Sequence, residues 1–217
     1  MTKSRNRWLV PAAVASLVAS GLVALSGSAL AQEAPVATAV GSGPVPIGRM
    51  RLSFSIVPAP LGSIESTVPI IGKVSADTAF AFGLRPAFDY SINDYFFVGF
   101  APQFLLNVKG DDSNGSAGKA LDLLLRVGGH APVADRVHLY GYLSPGYSII
   151  FPPTGDENAT GFVLGVTVGG MYALSDKLFA VADIGYQLGY QEFTIQGADF
   201  DSHLRYLLIG LGIGMKL

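Results

Sequence analysis

From residue 49 onward, large apolar residues alternate with small or polar ones at a period of two. The run His203–Leu217 shows it most plainly. Leu207, Ile209, Leu211, Ile213, Met215 and Leu217 fall on one side, and Tyr206, Leu208, Gly210, Gly212, Gly214 and Lys216 on the other. Successive side chains of a strand point to opposite faces, so this run is a strand with one oily stripe and one narrow one. A helix would need a period of 3.6 and would be weakened by three interior glycines. The same alternation predicts seven earlier strands, over 49–57, 78–90, 95–108, 120–131, 137–150, 161–173 and 178–191. In 78–90 the oily face is Phe80, Phe82, Leu84, Pro86, Phe88 and Tyr90, and the other face is Ala79, Ala81, Gly83, Arg85, Ala87 and Asp89. In 95–108 the narrow side is read as Phe97, Gly99, Ala101, Gln103 and Asn107. The connections 58–77, 109–119, 151–160 and 192–201 are long, and those at 91–94, 132–136 and 174–177 are short.

Which solvent meets the oily face decides the architecture. Only 14% of residues are charged, against about 25% in soluble domains. A soluble barrel with its oily face inward would need an outer shell rich in Lys and Glu. Here the alternative face is mostly Gly, Ala and Ser, which suits a lining. The outward aromatics gather at strand ends: Tyr90, Phe96 and Tyr172 beside short turns, Tyr147, Phe162 and Tyr190 beside long loops. Girdles of this kind mark the two membrane interfaces. No apolar run after Leu25 reaches the roughly 20 residues that a spanning helix needs. The prediction is therefore all-β: an eight-stranded antiparallel up-and-down transmembrane β-barrel, closed so that no strand edge meets lipid. Leu125→Arg on the oily face is expected to cost more than a serine at lining residue Gly212.

The first residues refine this picture. Lys3, Arg5 and Arg7 precede the apolar segment Trp8–Leu25, and Ala29-Leu30-Ala31 has the small-x-small form of a cleavage site. Residues 1–31 are expected to be a signal peptide, 32–48 a flexible periplasmic lead-in rich in Pro, Ala and Gly, and 49–217 the barrel domain. Losing the three leader cations moves the formal charge from −2 to −5, which argues against nucleic acid as a partner. The chain has no cysteine, so neither a disulfide framework nor a lipid-modified cysteine is available.

The alternation, the segment YALSDKLFAVADIGYQ (172–187) and the terminal strand together resemble the small outer-membrane β-barrel proteins of Gram-negative bacteria. That group includes the transmembrane domain of outer membrane protein A and outer membrane protein X. The resemblance covers about 49–217. It implies a multi-pass protein of the outer membrane with both termini periplasmic. It also implies contact with outer-membrane lipids and lipopolysaccharide, and recognition of the last strand by the barrel-assembly machinery. In that group the last strand usually ends in an aromatic residue, whereas this chain ends in Leu217.

An eight-stranded barrel is narrow enough to be filled by its own side chains. Strands four apart are expected to face each other. This sets Gly210, Gly212 and Gly214 opposite Asp122, Leu124 and Arg126. It likewise sets Arg85 and Asp89 opposite Gly165 and Gly169, and Tyr140 and Tyr142 opposite Ser53 and Ser55. Charges in such a lumen must be paired, so Arg85, Asp89, Asp122, Arg126 and Asp183 form the candidate polar network, with Arg51 and Lys216 as further members. A closed plug is the favoured reading, and a gated ion path is the alternative.

Other features are weighed in the same way. His130 and His138 flank one turn and raise the idea of a pH switch, against solvation at the barrel mouth. No histidine and carboxylate set has metal-ligand spacing, and no cofactor is expected. Asp201, Ser202 and His203 hold the residue types of a hydrolase, but neighbours on a strand point to opposite faces. Arg205 faces outward near the external rim, where it is a candidate lipopolysaccharide contact or reaches for water. Loop 58–77 carries Ile64, Val68, Ile70 and Ile71 and is a candidate extracellular partner site. Three roles remain: a structural or surface-interaction barrel first, a narrow channel for small or hydrophobic solutes second, a lipid-modifying enzyme third.

Overall fold

The computed structural model describes residues 48–68, 72–109, 117–153, 158–195 and 198–217. The expected signal peptide and most of the lead-in lie outside the described residues, as do Ile70 and Ile71. Among the described residues ten strands follow one another: β1 (Met50–Ala59), β2 (Leu61–Val68), β3 (Gly72–Asp77), β4 (Ala81–Ser91), β5 (Phe96–Val108), β6 (Gly118–Ala134), β7 (Val137–Phe151), β8 (Ala159–Ala173), β9 (Leu178–Ile195) and β10 (Ala198–Lys216). Each of β1, β4 to β9 and β10 pairs antiparallel with the next, and β1 pairs with β10. Eight strands therefore close into a barrel.

Its tilt can be read from the register. A row of directly paired residues starts at Met50 and passes through Tyr90, Val98, Val127, Leu143, Val166, Tyr186 and Leu207. It returns to the starting side at Leu61, eleven residues further along the chain. With a rise of about 3.3 Å per residue and about 4.8 Å between strands, that stagger tilts the strands by about 40°, the range in which barrels close.

The described part of the stretch expected as a loop over 58–77, residues 58–68 and 72–77, is barrel wall. β2 and β3 form a hairpin, with Ser63 paired to Asp77 and Val68 to Gly72, in the same register that joins β1 to β4. On its other side β2 continues the β1 pairing along β10. Ile56 meets Leu211 and Leu61 meets Leu207, so the β1–β2 line carries one extra residue between them. Pro58 and Pro60 sit at this bulge, one of the few places where a sheet tolerates proline. They read as loop signals because the same residues punctuate loops. The expected connection 192–201 is likewise strand up to Ile195 and again from Ala198. β6 runs to Ala134 through a register shift after Pro132, so the turn expected over 132–136 shrinks to Asp135-Arg136.

The two faces separate as the alternation implied. Leu125, Val127, Leu143, Phe162 and Ile213 are exposed on the outer surface, while Ala87, Phe97, Ala101, Leu124 and Tyr142 are buried inside. Asn107, read as lining, is a bulge residue at φ 64° whose Nδ2 donates to the Phe80 carbonyl. The bulge shifts the parity and turns Val108 into the lumen.

The strand-β10 glycines make room for residues of β1, β4 and β9 rather than of β6. A Cβ on Gly210 would strike the Asp183 carboxylate and the Arg85 guanidinium. One on Gly212 would strike the Phe54 carbonyl, and one on Gly214 the Phe179 ring. Similarly, Gly169 leaves space for Tyr140 and Gly165 for Ser144. The tilt displaces facing positions, so large and small side chains interlock between neighbours. A serine at Gly212 would meet a backbone carbonyl that cannot swing away, so that substitution carries a cost of its own. Gly212→Ala is expected to lower the unfolding free energy by about 1–3 kcal/mol. Gly170→Ala, whose Cβ would lie 3.8 Å from its nearest neighbours, should stay within about 1 kcal/mol of the parent. Urea midpoints of the two variants in lipid vesicles check the contrast.

Candidate functional site

Alternation places one polar side chain after another on the lumen side, and their partners fall into two groups. The first lies among β1, β4, β6, β7 and β9. Arg85 Nη2 donates to both oxygens of Asp183, at 2.7 and 2.8 Å, and the Tyr140 hydroxyl donates to the same carboxylate at 2.8 Å. Arg126 Nη1 donates to Asp89 Oδ2 at 3.1 Å, with Arg51 Nη2 3.8 Å from the same oxygen. Arg51 also donates to the Ser91 hydroxyl at 3.2 Å. Aromatic faces cover these cations: Arg126 lies 4.0 Å from the Tyr142 ring centre and Arg51 5.1 Å from that of Phe97. Charge-assisted bonds between buried groups are the strong kind.

The second group surrounds Asp122, which is 1% exposed. Its carboxylate accepts from Ser148 Oγ at 2.6 Å, Gln187 Nε2 at 2.7 Å and Gln103 Nε2 at 3.2 Å. All three donors are neutral, so Asp122 stands outside the salt-bridge network that the sequence suggested for it. Of the five residues expected there, Arg85, Asp89, Arg126 and Asp183 meet in two ion pairs, Arg51 joins them, and Asp122 does not. The amides and hydroxyls that hold Asp122 were legible as inward positions, but nothing in the sequence pairs them.

Toward the long-loop end the lining turns apolar. Val57, Ala59, Ala81, Leu105, Val108, Ala120, Leu204, Tyr206 and Leu208 form one buried cluster, with Ile64 and Ile150 packed against it. At the opposite end His130 and His138 are buried with ring centres 6.5 Å apart, and His130 stacks on Phe97 at 6.1 Å.

Beyond the lumen, Ser202 is buried and meets the Ser66 hydroxyl at 3.3 Å, while His203 lies on the other face with its ring 5.0 Å from that of Tyr190. Asp201 accepts from the Tyr190 hydroxyl at 3.1 Å. The three residues are not brought together. Arg205 is exposed, with its guanidinium 3.9 Å from Glu65, which also accepts from Lys73 at 2.9 Å. The Lys73 ammonium holds the Glu65 carboxyl below the usual carboxylate range.

Residues 16–216, which include every described strand, match the family described as outer membrane protein beta-barrel domain. The chain belongs to that family. It is accordingly a multi-pass barrel of the Gram-negative outer membrane. The fold is similar to that of the outer membrane protein OprG from Pseudomonas aeruginosa (TM-score 0.57, 14% identity, 80% of this chain and 98% of that one). Neisserial surface protein A is also similar (TM-score 0.46, 19% identity, 76% and 97%), as is outer membrane protein AlkL in lipid bilayers (TM-score 0.49, 16% identity, 86% and 98%). No curated protein matches the chain. Short turns of bacterial barrels face the periplasm, so the turns at 92–95, 135–136 and 174–177 lie there and the β2–β3 hairpin lies outside.

Proposed function

We propose that this protein is a surface-interaction barrel whose lumen is closed by its own side chains. One observation carries the reading: buried side chains occupy the lumen in successive layers. The Arg85–Asp183 and Arg126–Asp89 layer is followed by the Asp122, Gln103 and Gln187 layer, and then by the apolar cluster around Val57 and Leu105. Gln103, Val57 and Ala81 are wholly buried, as the side chains of a packed core are, which supports this reading. Recorded in planar bilayers, the folded protein is expected to give no stable open conductance. A steady open level would sink the reading and favour a gated path.

The β2–β3 hairpin supports the surface half of the proposal. It carries the wall beyond the oily belt and presents Glu65, Lys73, Ser75 and Asp77 on the face that continues the lipid-facing side. Arg205 and Lys73 flank Glu65 there and suit contact with the phosphates of lipopolysaccharide. A narrow passage for hydrophobic solutes is the second reading, favoured by the apolar lining at the outer end. Uptake of a hydrophobic solute into vesicles, blocked by bulkier side chains at Ala59 or Ala81, would select it. For the lipid-modifying enzyme, turnover of labelled lipid A or phospholipid is the deciding measurement.

A further inference from the structure

Arg51, Arg85 and Arg126 line one cavity of about 20 Å³ in the lumen, together with the carboxylates of Asp89 and Asp183 and the hydroxyls of Ser53 and Ser55. Guanidinium groups do not lose their proton in proteins. The cavity therefore holds three positive charges against two negative ones. Asp183 is engaged by Arg85 and Tyr140, and Asp89 Oδ2 is shared between Arg51 and Arg126. Asp89 Oδ1 faces the Gly99 backbone, where a Cβ would strike it, and is buried without a hydrogen-bond donor. Asp122 is engaged by its own neutral donors.

Two donors remain. Arg51 Nε and Arg126 Nε are buried without an acceptor, in side chains that are 2% and 7% exposed. An unbalanced buried cation costs several kcal/mol even after relaxation. The rings of Phe97 and Tyr142 offset part of that cost, but each Nε is still without an acceptor. A water molecule would satisfy a donor and leave the charge. The volume admits about one small occupant.

We infer that this cavity binds one small monovalent anion of the halide class, held between the guanidinium groups of Arg51 and Arg126 with the Ser53 and Ser55 hydroxyls as further donors. The anion brings the charge count of the cavity to zero and gives the two orphaned donors an acceptor. It is a structural counter-ion inside the barrel, separate from any surface contact.

The test uses the full barrel refolded into lipid vesicles and titrated with chloride or bromide against gluconate at constant ionic strength. Both halides should raise the unfolding midpoint along a saturating curve, as binding to the folded state alone requires. At 100 times the dissociation constant the folding equilibrium should shift about 100-fold in favour of the barrel. Arg51→Gln should abolish the response, and Lys177→Gln in a periplasmic turn should leave it intact. A response that rises without saturating, or that persists in Arg51→Gln, would overturn the proposal as a general salt effect. If Arg51→Gln does not fold, crystals of the unaltered protein grown in bromide decide: an anomalous peak between Arg51 and Arg126 supports the site, and its absence refutes it.

Discussion

Asp183→Ala should lower the unfolding free energy by about 3–5 kcal/mol, the range for removing one partner of a buried pair. The reason is the environment left behind rather than the bond lost. Arg85 is 5% exposed and both of its contacts to Asp183 run through Nη2. Without the carboxylate, a permanent cation stays buried in the lumen with no partner charge. Tyr140 loses its acceptor at the same time. The paired change Arg85→Met with Asp183→Leu should recover most of the loss, because two apolar groups of similar volume leave nothing unsatisfied. Urea unfolding of the single and double variants in vesicles reads both numbers. A single variant as stable as the parent would mean that water reaches this part of the lumen freely, which would also undo the closed-barrel reading.

Leu125→Arg is the second large effect, expected at about 2–4 kcal/mol if the residue lies near the bilayer midplane. Leu125 is 58% exposed on the outer surface. In a water-soluble protein an arginine at so exposed a site would be close to neutral. The size of the penalty therefore reports which solvent bathes this face. Unfolding from vesicles gives the value, and the same substitution at Val133, beside a periplasmic turn and also exposed, should cost about 0–1 kcal/mol.

The sequence was most informative where one physical rule acted alone. Alternation in β4 and β10 separated outward from inward residues because a closed barrel gives the two faces different solvents. It was least informative where two rules competed. Pro58, Pro60 and Gly62 carry turn chemistry, yet the stagger of the barrel requires β10 to find a partner beyond Leu207. The β1–β2 line supplies it at the cost of one bulge. Glu65, Lys73 and Asp77 read as loop because a wall raised above the oily belt meets water, and its outer residues turn polar. The lumen pairing depended on tilt, which no local pattern encodes. Asp183 and Asp122 look equivalent in the sequence, each inward and flanked by apolar neighbours. Only the register puts Arg85 beside one and two glutamines beside the other.

The seam between β1 and β10 has a kinetic meaning. Outside this seam and its continuation from β10 onto β2, every junction of the barrel joins strands adjacent along the chain or separated by one hairpin, whereas Leu52 meets Met215, Arg51 meets Lys216 and Leu61 meets Leu207. This last junction must gather nearly the whole strand region into one ring, and the entropy of doing so falls due at a single step. Until then the sheet is an open ribbon with two raw borders, each able to join another ribbon. Assembly of this chain is thus a race between sealing one ring and zipping onto a neighbour, and anything that holds the two borders together decides who wins.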